Sequence, residues 1–157
     1  MSMLFRFLQF FSLGTWIGGI LYFASIVAPA AFSVISNRDE AGALTGLALG
    51  RLHLLGLVTG VVFLIATAIE AKSAAALVRP APLLVALMIV LTFASQFWVS
   101  ESMAALRTQM GSYDATAPTN PLRVSFDRLH KVSVRLEMAV LLSGLIALVF
   151  ASRKPAA

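Results

Sequence analysis

The chain has 157 residues, of which 59% are hydrophobic and 12% are charged, and its mean hydropathy is +0.90. Soluble domains carry roughly twice this share of charged residues, and a chain of this size leaves about a third of its surface exposed, so a water-soluble globular protein is excluded. The absence of cysteine excludes disulfides and thiolate metal sites. The net charge of +5 lies on residues that flank apolar segments, which favours the lipid bilayer and its anionic headgroups over nucleic acid as partners.

The first apolar segment follows residue 1 closely and is distinguished from a signal peptide by its length and charge. Arg6 is the only basic residue before the apolar run, and the run continues to Ile35, beyond the core of a signal peptide. We therefore predict a retained transmembrane helix over residues 4–35.

Three further apolar segments come next, each bounded by residues that favour turns. The polar turn SNRDEAG precedes a helix predicted over residues 43–77, which the prolines of VRPAP end. The third helix is predicted over residues 81–110 and is followed by the loop GSYDATAPTNP, and the fourth is predicted over residues 122–152.

These four segments predict the fold class. Each is long enough to cross about 30 Å of hydrocarbon, which takes about 20 helical residues. In lipid, backbone N–H and C=O groups find hydrogen-bond partners only within helices or closed β-barrels. The strict polar–apolar alternation of barrel strands is absent, so the sequence favours helices. We predict an all-α, up-down-up-down bundle of four transmembrane helices, forming a single domain over residues 1–157 of a multi-pass protein of the bacterial cytoplasmic (inner) membrane.

Small residues recur at intervals of four in the first two helices, a pattern that lets helix backbones approach closely. We predict that these glycines pack against neighbouring helices: Gly14, Gly18, Gly46, Gly50, Gly56 and Gly60.

A polar pocket is predicted at the end of the bundle that carries the first and third inter-helix loops. His53 lies on the glycine face of the second helix, and His130, Ser133 and Glu137 share a face of the fourth. A carboxylate at the depth of Glu137 is costly unless it is paired, and we predict that Arg51 or Arg135 keeps it ionised. The pocket is either a static ion-pair tie between helix ends or a site for an ion, headgroup or small ligand. Its predicted residues are Arg51, His53, Gln96, Glu101, His130, Ser133, Arg135 and Glu137.

Metal and cofactor chemistry has little support in the sequence. His53 and His130 are the only histidines, they lie on different helices, and they lack the short ligand spacings of zinc sites. Two histidines near one membrane face are compatible with axial haem ligation, so the cofactor is left open with haem not favoured. No phosphate loop or nucleophile elbow is present, which favours a non-enzymatic protein.

Several short motifs lie at Trp16 and Gly18, Ala28, Pro29 and Phe32, Ala41 and Gly42, and Phe126, Leu129, His130 and Ser133. They resemble domain of unknown function 4149, the bacterial relatives of transmembrane protein 205, and the chain has a looser similarity to the membrane domain of copper resistance D proteins. The resemblance implies a four-helix membrane protein without an established activity, whose eukaryotic relatives are associated with resistance to metal-containing drugs. A small haem-associated protoporphyrinogen oxidase is also similar, but its first-helix histidine is missing here. The resemblance spans all four helices.

The sequence supports three functional hypotheses. The first is a membrane protein whose polar pocket binds an ion or small amphiphile, in transport or resistance. The second is a haem- or quinone-linked redox protein. The third is a structural subunit of a homo-oligomer or larger membrane complex.

Overall fold

The computed structural model describes residues 3–153 as four long helices joined by three connections. The helices are α1 (Met3–Val34), α2 (Arg38–Ala71), α3 (Pro80–Met110) and α4 (Pro121–Ser152). The ends of the predicted domain, residues 1–2 and 154–157, lie outside the described residues. The predicted all-α architecture of four membrane-spanning helices is confirmed.

Helix α2 begins five residues before the predicted start, inside the stretch that the sequence assigned to a turn. The side chain of Asn37 accepts hydrogen bonds from the backbone N–H groups of Asp39 and Glu40, at 2.8 and 3.3 Å. These bonds satisfy amides that have no partner within the helix. The two acidic side chains also lie in the first turn, where the helix dipole favours negative charge.

The predicted end of the second helix at residue 77 is also wrong, because α2 ends at Ala71. Lys72 adopts the left-handed conformation, with φ 50°, which breaks the helical hydrogen-bond ladder. Residues Ala74–Val78 then form a separate 3₁₀ turn, and α3 starts with Pro80 in its first turn, as proline chemistry predicts.

The four helices form a ring in which each contacts its two neighbours. Helix α1 packs against α2 and α4, and α3 packs against the same two. Within residues 3–153, neither diagonal pair, α1 with α3 or α2 with α4, brings Cα atoms within 8 Å. Any contact across a diagonal must therefore be made by long side chains.

The centre of the ring is filled by one aromatic side chain packed on two glycines. Trp16 of α1 is 1% exposed. A Cβ at Gly56 would overlap the Trp16 indole, and one at Gly60 would come within 2.6 Å of it. Gly144 of α4 is similarly covered by Ile17. The apolar core that surrounds them comprises Leu13, Trp16, Ile17, Ile20, Leu52, Phe63, Ala81, Val85, Met88, Val140 and Ala147.

The other predicted packing glycines behave differently. A Cβ at Gly14, Gly18 or Gly46 would meet nothing within 4 Å, and these three residues are exposed. The prediction that they pack against a neighbouring helix is wrong. Helix α1 turns Trp16 inward, so Gly14 and Gly18, which are two residues away on either side, face outward. A Cβ at Gly50 would make only ordinary contact, with the Gln96 amide oxygen at 3.6 Å.

Two of the helices contain a wider, π-helical turn. In α1 the turn covers Phe23–Val27 and is followed by Pro29, which lacks the N–H that would continue the regular ladder. In α3 it covers Ser95–Ser100, with no proline nearby. Turns of this kind are frequent at functional sites, and the second carries Gln96.

The long loop between α3 and α4 is tied down by polar contacts. Asp39 of α2 accepts hydrogen bonds from the Ser112 hydroxyl at 2.8 Å and the Tyr113 backbone N–H at 2.9 Å. The Tyr113 hydroxyl donates to Asp127 of α4 at 3.0 Å. The guanidinium of Arg123 lies 4.2 Å from the centre of the Tyr113 ring. This loop therefore clamps α2 and α4 to the end of α3.

The outward faces of the helices are apolar along much of their length. Large hydrophobic side chains on every helix are exposed, including Phe11, Val58, Val90 and Leu142. All four helices are long and apolar enough to cross a bilayer. Apolar surface of this extent is stable in hydrocarbon and unfavourable in water, so the chain is a multi-pass membrane protein in contact with the bilayer.

Replacing Gly56 with alanine should destabilise the bundle by about 1–3 kcal/mol, because the added methyl overlaps a rigid, buried indole. The measurement is unfolding in mixed detergent micelles. Gly14→Ala is the matched control, since that Cβ meets nothing and alanine favours helix by about 1 kcal/mol. Equal stability of the two variants would contradict this account of the core.

Candidate functional site

The candidate site lies at the level where the helices stop carrying charge. Toward the chain termini, α2 has no Asp, Glu, Lys or Arg between Arg51 and Glu70. Helix α4 has none between Glu137 and Arg153, and α3 has none between its first residue and Glu101. Near this boundary, on the interior face of α2, is His53.

His53 is the centre of a three-helix polar cluster. Its Nδ1 lies 2.8 Å from Oε1 of Gln96 on α3, and its Nε2 lies 3.1 Å from Oε2 of Glu137 on α4. The imidazole is 1% exposed. We call His53, Gln96 and Glu137 the polar cluster. Each of these three residues comes from a different helix, and the sequence predicted all three to line the pocket.

The bond from His53 to Glu137 crosses the α2–α4 diagonal, where the backbones do not touch. The small residues of α2 let Trp16 fill the middle of the ring one turn away, and the imidazole fills the next layer. A buried imidazole needs partners for its ring nitrogens, because an unpaired polar group in the core is costly. The polar cluster therefore joins α2 and α4 by a hydrogen bond across the diagonal, where their backbones do not touch.

Glu137 can be reached from outside, whereas His53 cannot. Its side chain is 17% exposed, whereas that of His53 is 1% exposed. Its second oxygen, Oε1, accepts no hydrogen bond from residues 3–153 and is not buried. The cluster thus presents one unpaired carboxylate oxygen at the surface of the bundle.

Helix α3 adds hydroxyl groups beside Gln96. Thr92 and Ser95 are each 1% exposed, and within the described chain their hydroxyl oxygens have no hydrogen-bond partner. Together with Gln96 they recur at i, i+3 and i+4, one helical face. Sequence reasoning missed both residues, although this polar periodicity inside an apolar helix was the available signal. Ser133, predicted for the pocket, is buried one turn from Glu137.

The prediction that Arg51 or Arg135 pairs with Glu137 is wrong. Arg51 and Arg135 are exposed, and in the part of the chain that the structure describes neither lies within 4.0 Å of a carboxylate. Each arginine is two residues from a cluster residue, a spacing that places two side chains on opposite sides of a helix. His53 takes the place of the arginine.

Glu101 and His130 are exposed, and neither takes part in the hydrogen bonds of the polar cluster. His130 shares the helix face of Glu137 but is seven residues, or about 10 Å of helix rise, further toward the loop end. Of the eight predicted pocket residues, the structure brings together His53, Gln96, Glu137 and, one turn away, Ser133.

The residues at the polar cluster are a poor match for haem. Both ring nitrogens of His53 face a hydrogen-bond partner, so axial ligation would break one of these bonds. Among residues 3–153, no group of three or more His, Cys, Asp or Glu side chains is placed to hold a metal ion.

A smaller polar contact, which sequence reasoning missed, lies at the opposite end of α2. The Gln9 amide nitrogen donates to Glu70 Oε2 at 3.0 Å and to the Thr67 hydroxyl at 3.3 Å. It joins α1 to the last turn of α2, 17 residues beyond His53. The inner face of α2 therefore carries polar contacts near both ends and apolar packing between them.

The model of the family "Domain of unknown function (DUF4149)" matches residues 11–112 of the chain. The chain belongs to this family. The DUF4149 match covers most of α1, all of α2 and α3, and stops before α4, so it is shorter than the four-helix resemblance that the sequence motifs indicated. No curated protein and no solved structure matches the chain. Similarity to transmembrane protein 205 and to copper resistance D proteins stays a prediction.

Within the DUF4149 segment, the motif residues have structural roles. Trp16 fills the centre of the ring, and Gly42 lies against the guanidinium of Arg107, where a Cβ would have no room. His53 and Gln96 lie inside the matched segment, whereas Glu137 lies beyond it.

Replacing Glu137 with alanine should lower the free energy of unfolding by about 1–3 kcal/mol, because it leaves the buried His53 nitrogen unpaired. Glu101→Ala is the control: this carboxylate is exposed, and the change should stay within about 0.5 kcal/mol. Unfolding in mixed micelles measures both. If the two variants are equally stable, the polar cluster does not hold the bundle together.

Proposed function

We propose that this membrane protein binds the cationic head of a small amphiphile at the polar cluster. The observation that carries the proposal is the unpaired Oε1 of Glu137, a carboxylate oxygen open to the outside at the boundary of the uncharged span. Ionisable residues inside membrane helices are costly, and those that are retained commonly bind ions or substrates.

The charge of the polar cluster favours a cation. Glu137 is its only acid, and with a neutral His53 the cluster carries one negative charge. No basic side chain other than His53 lies within 4.0 Å of Glu137 in the described chain. A cation placed at Oε1 would balance this charge in surroundings of low dielectric constant, where the attraction is stronger than in water.

The surroundings of Glu137 favour an amphiphile over a fully hydrated ion. Val134 and Met138, which flank it along α4, are each 52% exposed. A molecule with its charged head at Glu137 could lay its apolar part along these side chains and the adjoining lipid. Transport of such molecules, or resistance to them, is the biological role that this binding would serve.

The simplest rival is a static tie, in which the hydrogen bond between His53 and Glu137 only joins helices. A tie contributes to stability but binds nothing. The two hypotheses predict different effects of Glu137→Gln, which removes the negative charge and keeps the shape of the side chain. Cation binding is lost in the first case, and stability alone changes in the second.

Membrane placement is part of the proposal. Arg128, Lys131 and Arg135 are exposed along α4, beyond the polar cluster on the loop side. We propose that they contact anionic headgroups of a bacterial inner membrane, since each such contact contributes about 1 kcal/mol. A homo-oligomer or a larger complex could use the remaining apolar faces.

The test is binding of tetraphenylphosphonium to purified protein in detergent, measured by equilibrium dialysis. Glu137→Gln should weaken binding at least tenfold, about 1.4 kcal/mol, because the charge that attracts the cation is lost. Glu101→Gln, which removes an exposed carboxylate from α3, should bind like the wild type.

If wild-type protein does not bind, or if Glu137→Gln binds equally well while losing stability, the polar cluster is only a tie. Competition by sodium or potassium chloride at constant ionic strength would indicate an inorganic ion instead of an amphiphile.

A further inference from the structure

We propose that Glu70, in the last turn of α2, binds a small inorganic monovalent cation such as sodium. Its carboxylate lies at the opposite boundary of the uncharged span from the polar cluster, 17 residues beyond His53 on the same helix. That spacing corresponds to about 25 Å of helix rise. The site goes beyond the proposed function and does not depend on it.

The Glu70 side chain reaches across to α1. Its Oε2 accepts a hydrogen bond from the amide nitrogen of Gln9 at 3.0 Å, and the same nitrogen donates to the Thr67 hydroxyl at 3.3 Å. Both neighbours need a donor here, because a carboxylate only accepts and the Thr67 hydroxyl already gives its hydrogen to the Phe63 carbonyl. One oxygen of the carboxylate is therefore positioned by a residue of another helix.

The other carboxylate oxygen of Glu70 is the atom that points to a ligand. Oε1 is buried, and within residues 3–153 it has no hydrogen-bond partner. A buried polar atom without a partner is costly, and more so when it carries charge. Such atoms are few in folded proteins, and a bound ion is one of the partners that accounts for them.

No basic side chain neutralises Glu70. In the part of the chain that the structure describes, no Lys or Arg nitrogen lies within 4.0 Å of its carboxylate. Arg6, the base on α1 at this end, lies over the Phe10 ring, with its guanidinium carbon 5.8 Å from the ring centre. The other described bases at this end are exposed: Lys72, Arg79 and Arg153.

The end of α2 adds to the negative charge. Its last turn contains Glu70 and no basic residue. The carbonyl end of a helix carries a partial charge of about −0.5, which favours a cation and opposes a carboxylate. A cation at Oε1 would balance the carboxylate and the helix end together.

The chemistry of the ligand follows from the oxygens and from their burial. Carboxylate and hydroxyl oxygens are hard ligands, which suit hard cations and not soft metals. A single carboxylate matches a single positive charge, and among residues 3–153 no group of three or more His, Cys, Asp or Glu side chains is placed to hold a metal ion. A bulky organic cation does not fit against a buried oxygen, whereas Glu137 presents an open one.

The bundle then has one cation site at each boundary of the uncharged span. The buried side chains of Trp16 and Phe63 fill the core between the two sites, so each binds its ligand separately. An ion at Glu70 also strengthens the junction between α1 and the last turn of α2. Because the ion binds the folded protein, its binding is measurable as a gain in stability.

The test is thermal unfolding of the protein in detergent micelles as sodium chloride replaces choline chloride at constant ionic strength. We expect the melting temperature of the wild type to rise with sodium concentration. Glu70→Gln, which keeps the shape of the side chain and removes its charge, should weaken the apparent sodium affinity at least tenfold. Glu101→Gln removes an exposed carboxylate from α3 and is the matched control, which should respond like the wild type.

Equal melting temperatures of the wild type in the two salts, or an equal rise in Glu70→Gln, would overturn the proposal. If Glu70→Gln does not fold, Glu137→Gln decides: the sodium response should persist in it, and its loss would assign the ion to the polar cluster. Glu70→Gln should bind tetraphenylphosphonium like the wild type. Failure of the sodium site therefore leaves the proposed function standing, and failure of tetraphenylphosphonium binding leaves the sodium result standing.

Discussion

An ionisable pair at the edge of the hydrocarbon constrains the rest of this bundle. The bond from His53 to Glu137 spans the diagonal between α2 and α4, whose backbones do not meet. Neither side chain can lose its partner without leaving a polar atom in apolar surroundings. The arrangement of the ring, the layer of glycines and the approach of α3 with Gln96 all keep these side chains within reach of one another.

Packing around Trp16 makes that reach possible. Its indole lies on Gly56 and Gly60 and fills the middle of the ring, so that the imidazole of His53 occupies the adjoining layer. The π-helical turn of α3 then carries Gln96 to the other side of the imidazole. Rigid apolar packing lies on one side of His53, and both of its ring nitrogens face hydrogen-bond partners, while Glu137 keeps one oxygen accessible.

Much of the fold can be predicted from the sequence, because four apolar segments of sufficient length leave few alternatives in a membrane. The site can be predicted in part. Helical periodicity placed His53 and Glu137 on inward faces. The prediction that Arg51 and Arg135 join them is wrong, because residues two apart on a helix point in nearly opposite directions. The glycine motifs of α1 and α2 are equivalent as sequence, yet only the pair that faces Trp16 is tightly packed. Which motif is tightly packed depends on how each helix is rotated about its axis in the bundle. The π-helical turn at Gln96 has no composition that marks it, since it changes only which carbonyl each N–H meets.

The central claim, that His53 and Glu137 are energetically coupled inside the bundle, is tested most directly by a double-mutant cycle. His53→Ala, Glu137→Ala and the double variant are unfolded in mixed detergent micelles beside the wild type. The account predicts a coupling free energy of about 1.5–3 kcal/mol, as for a hydrogen bond that involves a charged group. Losses of stability that add to within about 0.5 kcal/mol would show that the two side chains act independently and would contradict the account.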